Sequence, residues 1–246
     1  MSTQELAGRV AIVTGSSSGI GAATARALSA LGASVVVNSS SSVESGTAVA
    51  ESLPAPSMYV QADISDKAPG QQLIDRTIER FGRLDILVNN AGWTTLVPHT
   101  DLDALTDEIF DKTFRVNVYG TWWLTKAAMP WLRASDDACV VNVTSIAGHR
   151  PAGSSIAYAM TKAALNHMTP LLAKSCAPVR VNAVAPGLVA TPWTADWHEI
   201  HEMYAERTPL KCAATPEDCA EAVLALVRTR HVTGHVMVVE GGYSLV

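Results

Sequence analysis

The segment Val10–Gly21 reads VAIVTGSSSGIG and decides the fold prediction, because an apolar strand runs straight into a glycine-rich turn and a helix. Val10–Val13 is apolar at every position, which is typical of a strand covered on both faces in a parallel sheet. Gly15 permits a tight turn, and Gly21 lets the new helix pack closely on the strand. Gly19 lets the backbone approach a pyrophosphate, which the free N–H groups and positive dipole end of the helix would attract. The segment therefore predicts a phosphate-binding turn.

Short apolar runs rich in valine and isoleucine recur along the chain, and stretches with helical spacing separate them. Strand and helix alternating at this rhythm indicate a series of right-handed βαβ units. We therefore predict an α/β fold, a doubly wound (Rossmann) parallel sheet of about seven strands with helices on both faces. The runs are Val10–Val13, Val35–Val37, Leu84–Val88, Cys139–Val143, Val179–Val184 and Val236–Val239, with Met58–Val60 as a weaker candidate.

Length and composition limit the classes of function. The 246 residues are enough for one substantial core, so we predict one domain over residues 1–246. The net charge of -5 and the lack of charge runs give no reason to expect nucleic acid or an anionic membrane as partner. The four cysteines are widely spaced, no metal-ligand cluster is visible, and residues 1–9 lack a signal-peptide pattern. These features favour a cytoplasmic protein with reduced thiols and no metal.

Six motifs follow one another in a specific order. They are TGSSSGIG at 14–21, NNAG at 89–92, NVTS at 142–145, YAMTK at 158–162, PG at 186–187 and EGG at 240–242, with Asn117 inside a helical stretch. In this order and spacing they resemble the short-chain dehydrogenase/reductase family, and the chain is similar in outline to its 3-oxoacyl-carrier-protein reductases. The resemblance covers residues 9–242. It implies an oxidoreductase that moves a hydride between a nicotinamide cofactor and a carbonyl/alcohol substrate.

Tyr158 and Lys162 stand four residues apart in Ser155–Lys174, a stretch that reads as helical, so both side chains share one helix face. An ammonium beside a phenol favours the phenolate, and we expect Lys162 to lower the pKa of Tyr158 from about 10. Ser145 ends an apolar strand, where open α/β sheets bind ligands, and its hydroxyl could stabilise charge on a substrate oxygen. The alternative for Ser145 is a helix-capping serine.

The resemblance assigns the catalytic roles to Ser145, Tyr158, Lys162 and Asn117. It implies that Tyr158 exchanges the proton with the substrate oxygen, that Lys162 also binds the nicotinamide ribose, and that Asn117 helps to hold a relay water. The alternative for Asn117 is a helix-interior amide satisfied by backbone. The resemblance further implies a cofactor site. Its residues are Gly15, Ser17, Ser18, Gly19, Ile20, Gly21, Asn38, Ser39, Ser40, Asp63, Ile64, Asn89, Ala91, Gly92, Tyr158, Lys162, Pro186, Gly187, Val189 and Thr191.

The second strand ends at Asn38 without a carboxylate, and an acidic residue there would bind a ribose 2′-hydroxyl and repel a 2′-phosphate. We therefore favour NADP(H) over NAD(H). No Lys or Arg occurs between Arg26 and Lys67, so a phosphate would lack a nearby cation, but Asn38 and the hydroxyls and amides of Ser39–Ser42 could still donate to it. The rival interpretation is that Ser41 and Glu44 form a capping box for the next helix; both can hold at once.

Residues 188–210 are where this family builds its substrate lid, and the segment carries several large apolar side chains. They are Trp193, Trp197, Met203 and Tyr204, and Trp93 follows the NNAG motif. They fit a small-molecule carbonyl/alcohol substrate with an apolar or aromatic body, and equally lid anchors or a subunit contact. The resemblance suggests a homotetramer. A non-catalytic NADP(H)-binding regulator or scaffold, and an epimerase or dehydratase that retains its cofactor, stay as alternatives.

Overall fold

The computed structural model describes residues 4–246, and its strands form one parallel sheet of seven strands in the order β3-β2-β1-β4-β5-β6-β7. The strands are β1 Val10–Val13, β2 Ser34–Ser39, β3 Ser57–Gln61, β4 Ile86–Asn89, β5 Cys139–Val143, β6 Arg180–Pro186 and β7 Val236–Val239. All seven apolar runs overlap these strands, including the weaker candidate in β3. The predicted doubly wound parallel sheet is confirmed.

In the described part of the chain, eight α-helices connect or follow the strands. They are α1 Gly19–Ala30, α2 Val43–Glu51, α3 Lys67–Phe81, α4 Asp107–Phe114, α5 Thr121–Arg133, α6 Ile156–Ser175, α7 His198–Arg207 and α8 Pro216–Arg228. One π-helical turn, Arg115–Gly120, joins α4 to α5, and 3-10 turns lie at Ile146–Gly148, Pro192–Thr194 and Tyr243–Leu245. Within residues 4–246, no helix is both long enough and apolar enough to cross a membrane.

The apolar strands are buried on both faces because successive side chains point to opposite sides of the sheet. Val13 belongs to a buried cluster with Leu28 of α1 and Val223 of α8. Its neighbour Ile12 belongs to a second cluster, with Leu73 of α3 among its members. The helices therefore cover both sides, which explains why these strands are apolar throughout rather than alternating.

The order in which strands are added to the sheet changes direction at β1: β2 and β3 lie on one side of it, and β4 to β7 lie on the other. β1 pairs with β2 on one side and with β4 on the other, with Val13 opposite Val37 and Val88. In an open α/β sheet, a crevice forms beyond the carboxyl ends of the strands at such a switch point. The glycine-rich turn after β1 and the NNAG segment after β4 flank this crevice.

The helix α6 begins one residue later than the predicted stretch Ser155–Lys174 and ends one residue later. Ser155 is its N-cap, and the Ser155 hydroxyl accepts a hydrogen bond from the backbone N–H of Tyr158 at 3.2 Å. The cap satisfies an otherwise free N–H and fixes where the helix starts. Tyr158 is thereby held in the first turn of α6, next to the crevice.

Candidate active site

A cleft of about 800 Å³ lies along the carboxyl edge of the sheet. Turns that follow β1 to β6 all contribute to its walls, and its size falls in the range of about 300–1,000 Å³ of small-molecule sites. Ser145 lines it, and so do all the predicted cofactor residues except Gly21 and Asn89. Asn117 does not line it either. Residues from six separate loops therefore meet at one place, as the family resemblance implies.

The turn after β1 presents backbone and hydroxyl groups to the cleft. Gly15 and Gly19 have φ of 60° and 52°, a left-handed conformation that favours glycine. Ser18 is the N-cap of α1 but makes no capping bond with its side chain. Its hydroxyl and the first-turn N–H groups of α1 are therefore not consumed by a side-chain cap, and Ser17, Ser18 and Ile20 line the cleft. This set of donors suits the pyrophosphate of a dinucleotide, so the residues present fit a nicotinamide cofactor.

Gly21 acts through packing, as its position in the turn predicts. A Cβ on Gly21 would lie 2.4 Å from the carbonyl oxygen of Gly15 and 2.6 Å from Nδ2 of Asn90. Asn90 holds the turn in place, because its Nδ2 donates to the carbonyl oxygens of Thr14 at 2.9 Å and Gly15 at 3.0 Å. Sequence reasoning missed Asn90, although it stands inside the NNAG motif. Gly21 is a packing residue and does not contact the cleft.

Asn89 was predicted to bind cofactor, and the structure places it elsewhere. It is buried, and its Nδ2 donates to Thr125 Oγ1 at 3.0 Å and to Asn142 Oδ1 at 2.9 Å. These bonds join β4 to β5 and α5 beneath the cleft floor. A buried amide needs such partners, and they leave its N–H groups turned away from any ligand. Asn89 therefore cross-links the sheet rather than lining the site.

The end of β2 also differs from the expectation. The Nδ2 of Asn38 donates to the carbonyl oxygens of Val60 at 3.1 Å and Ala62 at 3.0 Å, so it ties β2 to the end of β3. The Ser39 hydroxyl is hydrogen-bonded to the hydroxyl of Tyr59 at 2.7 Å. Asn38 and Ser39 do line the cleft, and both N–H groups of the Asn38 amide already have protein partners, whereas either hydroxyl can donate in the bond between Ser39 and Tyr59. The prediction that these residues donate to a phosphate is therefore wrong for the Asn38 side-chain amide, and Ser40–Ser42 supply the hydroxyls at this end that make no hydrogen bond within residues 4–246.

The predicted capping box of Ser41 and Glu44 is also wrong. The helix α2 begins at Val43, so its N-cap is Ser42, and Ser42 makes no side-chain capping bond. Ser41 therefore stands one residue too early to cap, and Glu44 lies in the first turn, at the second helical position. Ser40, Ser41 and Ser42 line the cleft instead.

Ser145, Tyr158 and Lys162 meet at the opposite end of the cleft. The Nζ of Lys162 donates to the carbonyl oxygen of Val143 at 2.9 Å and lies 5.4 Å from the centroid of the Tyr158 ring. The Ser145 hydroxyl accepts from the N–H of Ala147 at 3.1 Å, so it also caps the 3-10 turn that follows. The capping interpretation of Ser145 and its place beside Tyr158 therefore hold together.

The protonation of this pair follows burial rather than mutual charge. Burial raises the pKa of Tyr158 to about 12, and the interaction of the phenol with the Ser145 hydroxyl opposes part of that rise. Burial lowers the pKa of Lys162 to about 8. Both shifts favour the neutral forms, because a low-dielectric site penalises charge. The expectation that Lys162 lowers the pKa of Tyr158 is therefore wrong for the protein alone, because burial raises this pKa and the Ser145 hydroxyl opposes only part of the rise.

Asn117 lies in the π-helical turn between α4 and α5 and is buried. Its Oδ1 accepts from the backbone N–H of Trp93 at 2.7 Å, and its Nδ2 donates to the Trp93 carbonyl at 3.0 Å and to Thr161 Oγ1 at 3.0 Å. Thr161 in turn donates to the carbonyl oxygen of Tyr158 at 2.7 Å. The side chain is thus satisfied largely by backbone, as the alternative interpretation has it. Asn117 joins the loop after β4 to α6, which carries Tyr158.

Aromatic side chains enclose the end of the cleft beyond Tyr158. The indole of Trp193 packs edge-on against the Tyr158 ring, and Trp93 and Trp197 line the same end. Lys112 also lines it, with Nζ 4.3 Å from the centroid of Trp93. Sequence reasoning missed Lys112, because no motif joins α4 to the loop that carries Trp93.

The predicted lid contains the 3-10 turn Pro192–Thr194 and the helix α7, and Tyr204 anchors it. The Tyr204 hydroxyl donates to the carbonyl oxygen of Glu240 at 2.7 Å, and its ring stacks on Tyr243 with centroids 4.8 Å apart. A Cβ on Gly187 would lie 2.0 Å from that hydroxyl. Tyr204 is buried, so it serves as an anchor, whereas Trp193 is exposed at 48% and free to meet a ligand.

Comparison with known proteins gives a consistent result. A family model described as enoyl-(acyl carrier protein) reductase matches residues 15–244. A Streptomyces violaceoruber protein named "Granaticin polyketide synthase putative ketoacyl reductase 2" is 51% identical, over 100% of both chains. A 3-oxoacyl-[acyl-carrier-protein] reductase of Thermotoga maritima is 33% identical, over 96% of this chain and 98% of the relative. A crystal structure of a short-chain dehydrogenase/reductase (glucose/ribitol dehydrogenase) from Brucella melitensis superposes with a TM-score of 0.92 at 31% identity, covering 98% of this chain and 99% of that one.

Proposed function

Because this chain belongs to the short-chain dehydrogenase/reductase family of oxidoreductases, which use NAD(P)(H), we propose that it transfers a hydride between NADP(H) and a carbonyl/alcohol substrate with Tyr158 as general acid/base. One observation carries the proposal: Ser145, Tyr158 and Lys162 line the same cleft as the glycine-rich turn after β1. When bound, the reduced cofactor supplies the hydride that the carbonyl carbon accepts. The chain's own residues bind the carbonyl and deliver the proton.

In the direction of reduction, the Ser145 hydroxyl and the Tyr158 phenol grip the substrate oxygen. Negative charge develops on this oxygen as the carbon gains the hydride, and two donors aimed at it stabilise that charge. Tyr158 then gives its phenolic proton to the oxygen, which completes the alcohol. A pKa of Tyr158 near 12 keeps this proton in place at neutral pH. In the reverse direction Tyr158 takes the proton back.

Lys162 acts beside this pair. We assign it to the nicotinamide ribose, because its ammonium lies on the same helix face as Tyr158 and lines the cleft. The carbonyl of Val143 holds Nζ in place at 2.9 Å. We assign Asn117 to positioning: its amide fixes the Trp93 backbone and reaches Tyr158 through Thr161.

The preference for NADP(H) over NAD(H) rests on the end of the cleft near β2. Asp63 is the one carboxylate among the residues that line the cleft, and its Oδ1 accepts the backbone N–H of Ser65 at 2.9 Å. The hydroxyls of Ser40–Ser42 are left to donate to a 2′-phosphate. Replacing these three serines by alanine is expected to weaken NADPH binding several-fold and to leave NADH binding unchanged, measured by fluorescence titration. Equal losses for both nucleotides would contradict the preference.

For the substrate we propose a ketone with a flat apolar body. Trp93 and Trp193 support this, because two indoles that line the same end of the cleft suit a flat ring. The ketoacyl reductase names of the relatives from Streptomyces violaceoruber and Thermotoga maritima agree with reduction of a ketone on an acyl-derived chain.

We also propose a homotetramer. The helix α5 and the turn before it expose Tyr119, Trp122 and Trp131, at 50%, 44% and 40% of their areas. Exposed aromatics along one helix indicate a covered surface, and a second copy of the chain is the occupant that the family resemblance suggests. Light scattering should give the mass of four chains, and Trp122→Glu should reduce it. The cytoplasmic location stays a prediction from the sequence.

The decisive experiment is a panel of ketones assayed by the absorbance of the reduced cofactor, with NADPH and with NADH. Stoichiometric NADPH consumption is expected, and Tyr158→Phe should lower kcat by at least about a thousandfold because the proton donor is lost. If Tyr158→Phe binds NADPH normally and turns over every ketone as the parent does, a non-catalytic nucleotide-binding role is the better account. Product formed without net NADPH consumption would indicate epimerisation or dehydration.

A further inference from the structure

Three charged side chains line the cleft: Asp63, Lys112 and Lys162. Two of them already have protein partners. Asp63 accepts the N–H of Ser65, and Lys162 donates to the carbonyl of Val143. The side chain of Lys112 makes neither a hydrogen bond nor an ion pair with any of residues 4–246, and its one specific contact is the face of the Trp93 ring. The proposed mechanism leaves this cation unused.

The position of Lys112 is set by a fixed platform. Trp93 cannot shift easily, because Asn117 accepts from its backbone N–H at 2.7 Å and donates to its backbone carbonyl at 3.0 Å. The ammonium of Lys112 stands 4.3 Å from the centroid of the Trp93 ring, within the distance at which a cation is attracted to an aromatic face. The lysine is exposed, so its ammonium keeps N–H groups free at the rim of the cleft.

We propose that Lys112, seated on Trp93, binds an anionic group of the substrate, a carboxylate or a phosphate, at the rim of the cleft. The inference rests on the proposed function, because it takes the substrate carbonyl to lie at Ser145 and Tyr158. Lys112 then binds the anionic end of the substrate, and Trp93 packs against the part of the substrate that lies between this end and the carbonyl. The whole chain carries a net charge of -5, so the attraction comes from this local cation and not from a general positive field.

The test uses three ketones with one ring system: a neutral one, one with a carboxylate and one with a phosphate ester. The parent protein should favour at least one anionic ketone in kcat/KM. Lys112→Gln should raise KM for that ketone about two- to fivefold, the range of an exposed ion pair, and leave kcat and the neutral ketone unchanged. Lys112→Arg should keep the preference. Comparing the carboxylate ketone with the phosphate ketone identifies which anion Lys112 binds.

Lys67 gives a matched control, because its Nζ lies 5.2 Å from the centroid of Trp123 in the same kind of contact but outside the cleft. Lys67→Gln should leave the preference intact. Raising the salt concentration from 0.05 to 0.5 M should erode the preference in the parent and not in Lys112→Gln. An anionic preference that survives Lys112→Gln, or its absence from the parent, overturns the inference. The proposed function still stands in that case if Tyr158→Phe abolishes reduction of the neutral ketone.

A binding measurement tests the anion-binding role of Lys112 separately from the acid/base role of Tyr158. An unreactive aromatic carboxylate, 2-naphthoate, should bind the parent more tightly than 2-naphthamide does, and Lys112→Gln should equalise the two dissociation constants. The same comparison is made with 2-naphthyl phosphate, and if neither 2-naphthoate nor 2-naphthyl phosphate binds the parent more tightly than 2-naphthamide, the inference fails. This readout needs no turnover, so it is independent of whether Tyr158 is the general acid.

Discussion

The indole of Trp193 meets the phenol ring of Tyr158 edge to face, with ring centroids 6.5 Å apart and an interplanar angle of 80°. Trp193 belongs to the 3-10 turn Pro192–Thr194, and a capping box between Thr191 and Thr194 fixes that turn. The lid segment thus places an aromatic wall directly against the side chain that we assign to proton transfer. The residue 193 side chain therefore borders the space in which a substrate ring adjacent to the carbonyl would lie.

Trp193→Ala is expected to raise KM for flat aromatic ketones about two- to tenfold, because an aromatic pair contributes roughly 0.5–1.5 kcal/mol beyond its buried area. For a small aliphatic ketone the change should be slight. Steady-state kinetics on both ketones measure this, with Trp193→Phe as the variant that keeps a ring. Equal effects on the aromatic and aliphatic ketones would contradict a packing role for Trp193.

Lys162 should make stability depend on pH. Its pKa is about 8 in the folded protein and near the ordinary 10.5 when unfolded, so the unfolded state binds more protons between these values. The contribution of Lys162 to stability is therefore fully present above pH 10.5 and is lost as pH drops through 8. Without nucleotide, Lys162→Met should be stabilised relative to the parent at pH 7 by on the order of 3 kcal/mol, and this advantage should vanish by about pH 10.5. Urea unfolding across that range measures it; a pH-independent difference would contradict it.

Asn38→Ala should destabilise the fold by about 1–3 kcal/mol, because it leaves the carbonyls of Val60 and Ala62 without their donor. The NADPH/NADH ratio of kcat/KM should stay the same, since this amide is not free for a phosphate. Gln61→Ala is the control: Gln61 donates to the carbonyl of Ser40 at 2.9 Å across the same strand pair, but in solvent. Gln61→Ala should lower the free energy of unfolding by less than about 0.5 kcal/mol. A changed nucleotide ratio with unchanged stability would reverse the assignment of Asn38.

Gly187→Ala should be strongly destabilising, because its Cβ would come within 2.0 Å of the Tyr204 hydroxyl and 2.9 Å of the Glu240 Cβ. Tyr204→Phe alone removes the hydrogen bond to the Glu240 carbonyl and should cost about 1 kcal/mol. The double variant should lose less than the sum of the two, since the nearest clashing atom is gone. Unfolding free energies of the three variants test this, and simple additivity would show that Gly187 and Tyr204 are not coupled.

The fold could be predicted from the sequence because parallel strands covered on both faces leave an unmistakable apolar run. The run Leu84–Val88 predicted β4 two residues early, and the reason is physical. Asp85 is buried before the strand and accepts from Arg83, Ser135 and the N–H of Val10, so it joins the bases of two strands without being part of β4. Such a partner 75 residues away cannot be read from local pattern.

Some features of the candidate site could likewise be predicted from the sequence, and others could not. The spacing and order of the motifs predicted that Ser145, Tyr158 and Lys162 lie together, and all three line one cleft. This could be predicted because Tyr158 and Lys162 are one helix turn apart and Ser145 follows the end of a strand. The partners of Asn38 lie at the end of β3 and just after it, more than twenty residues away, so the sequence alone did not show that its amide is used. The sign of the Tyr158 pKa shift was missed for a related reason: it depends on the depth of burial, which only the assembled fold sets.

The bonds of Asn117 have a consequence for anyone who wishes to change what the enzyme accepts. The same amide holds the Trp93 backbone and the Thr161 hydroxyl, and Thr161 holds the carbonyl of Tyr158. We therefore expect that moving Trp93 to enlarge the cleft also disturbs α6, which carries Tyr158, and lowers turnover as the range of substrates widens. Within residues 4–246, the Trp193 side chain makes no hydrogen bond to α6, and its contact with Tyr158 is between the two rings. Laboratory evolution for new substrates should therefore gather its productive mutations at Trp193 and spare Trp93.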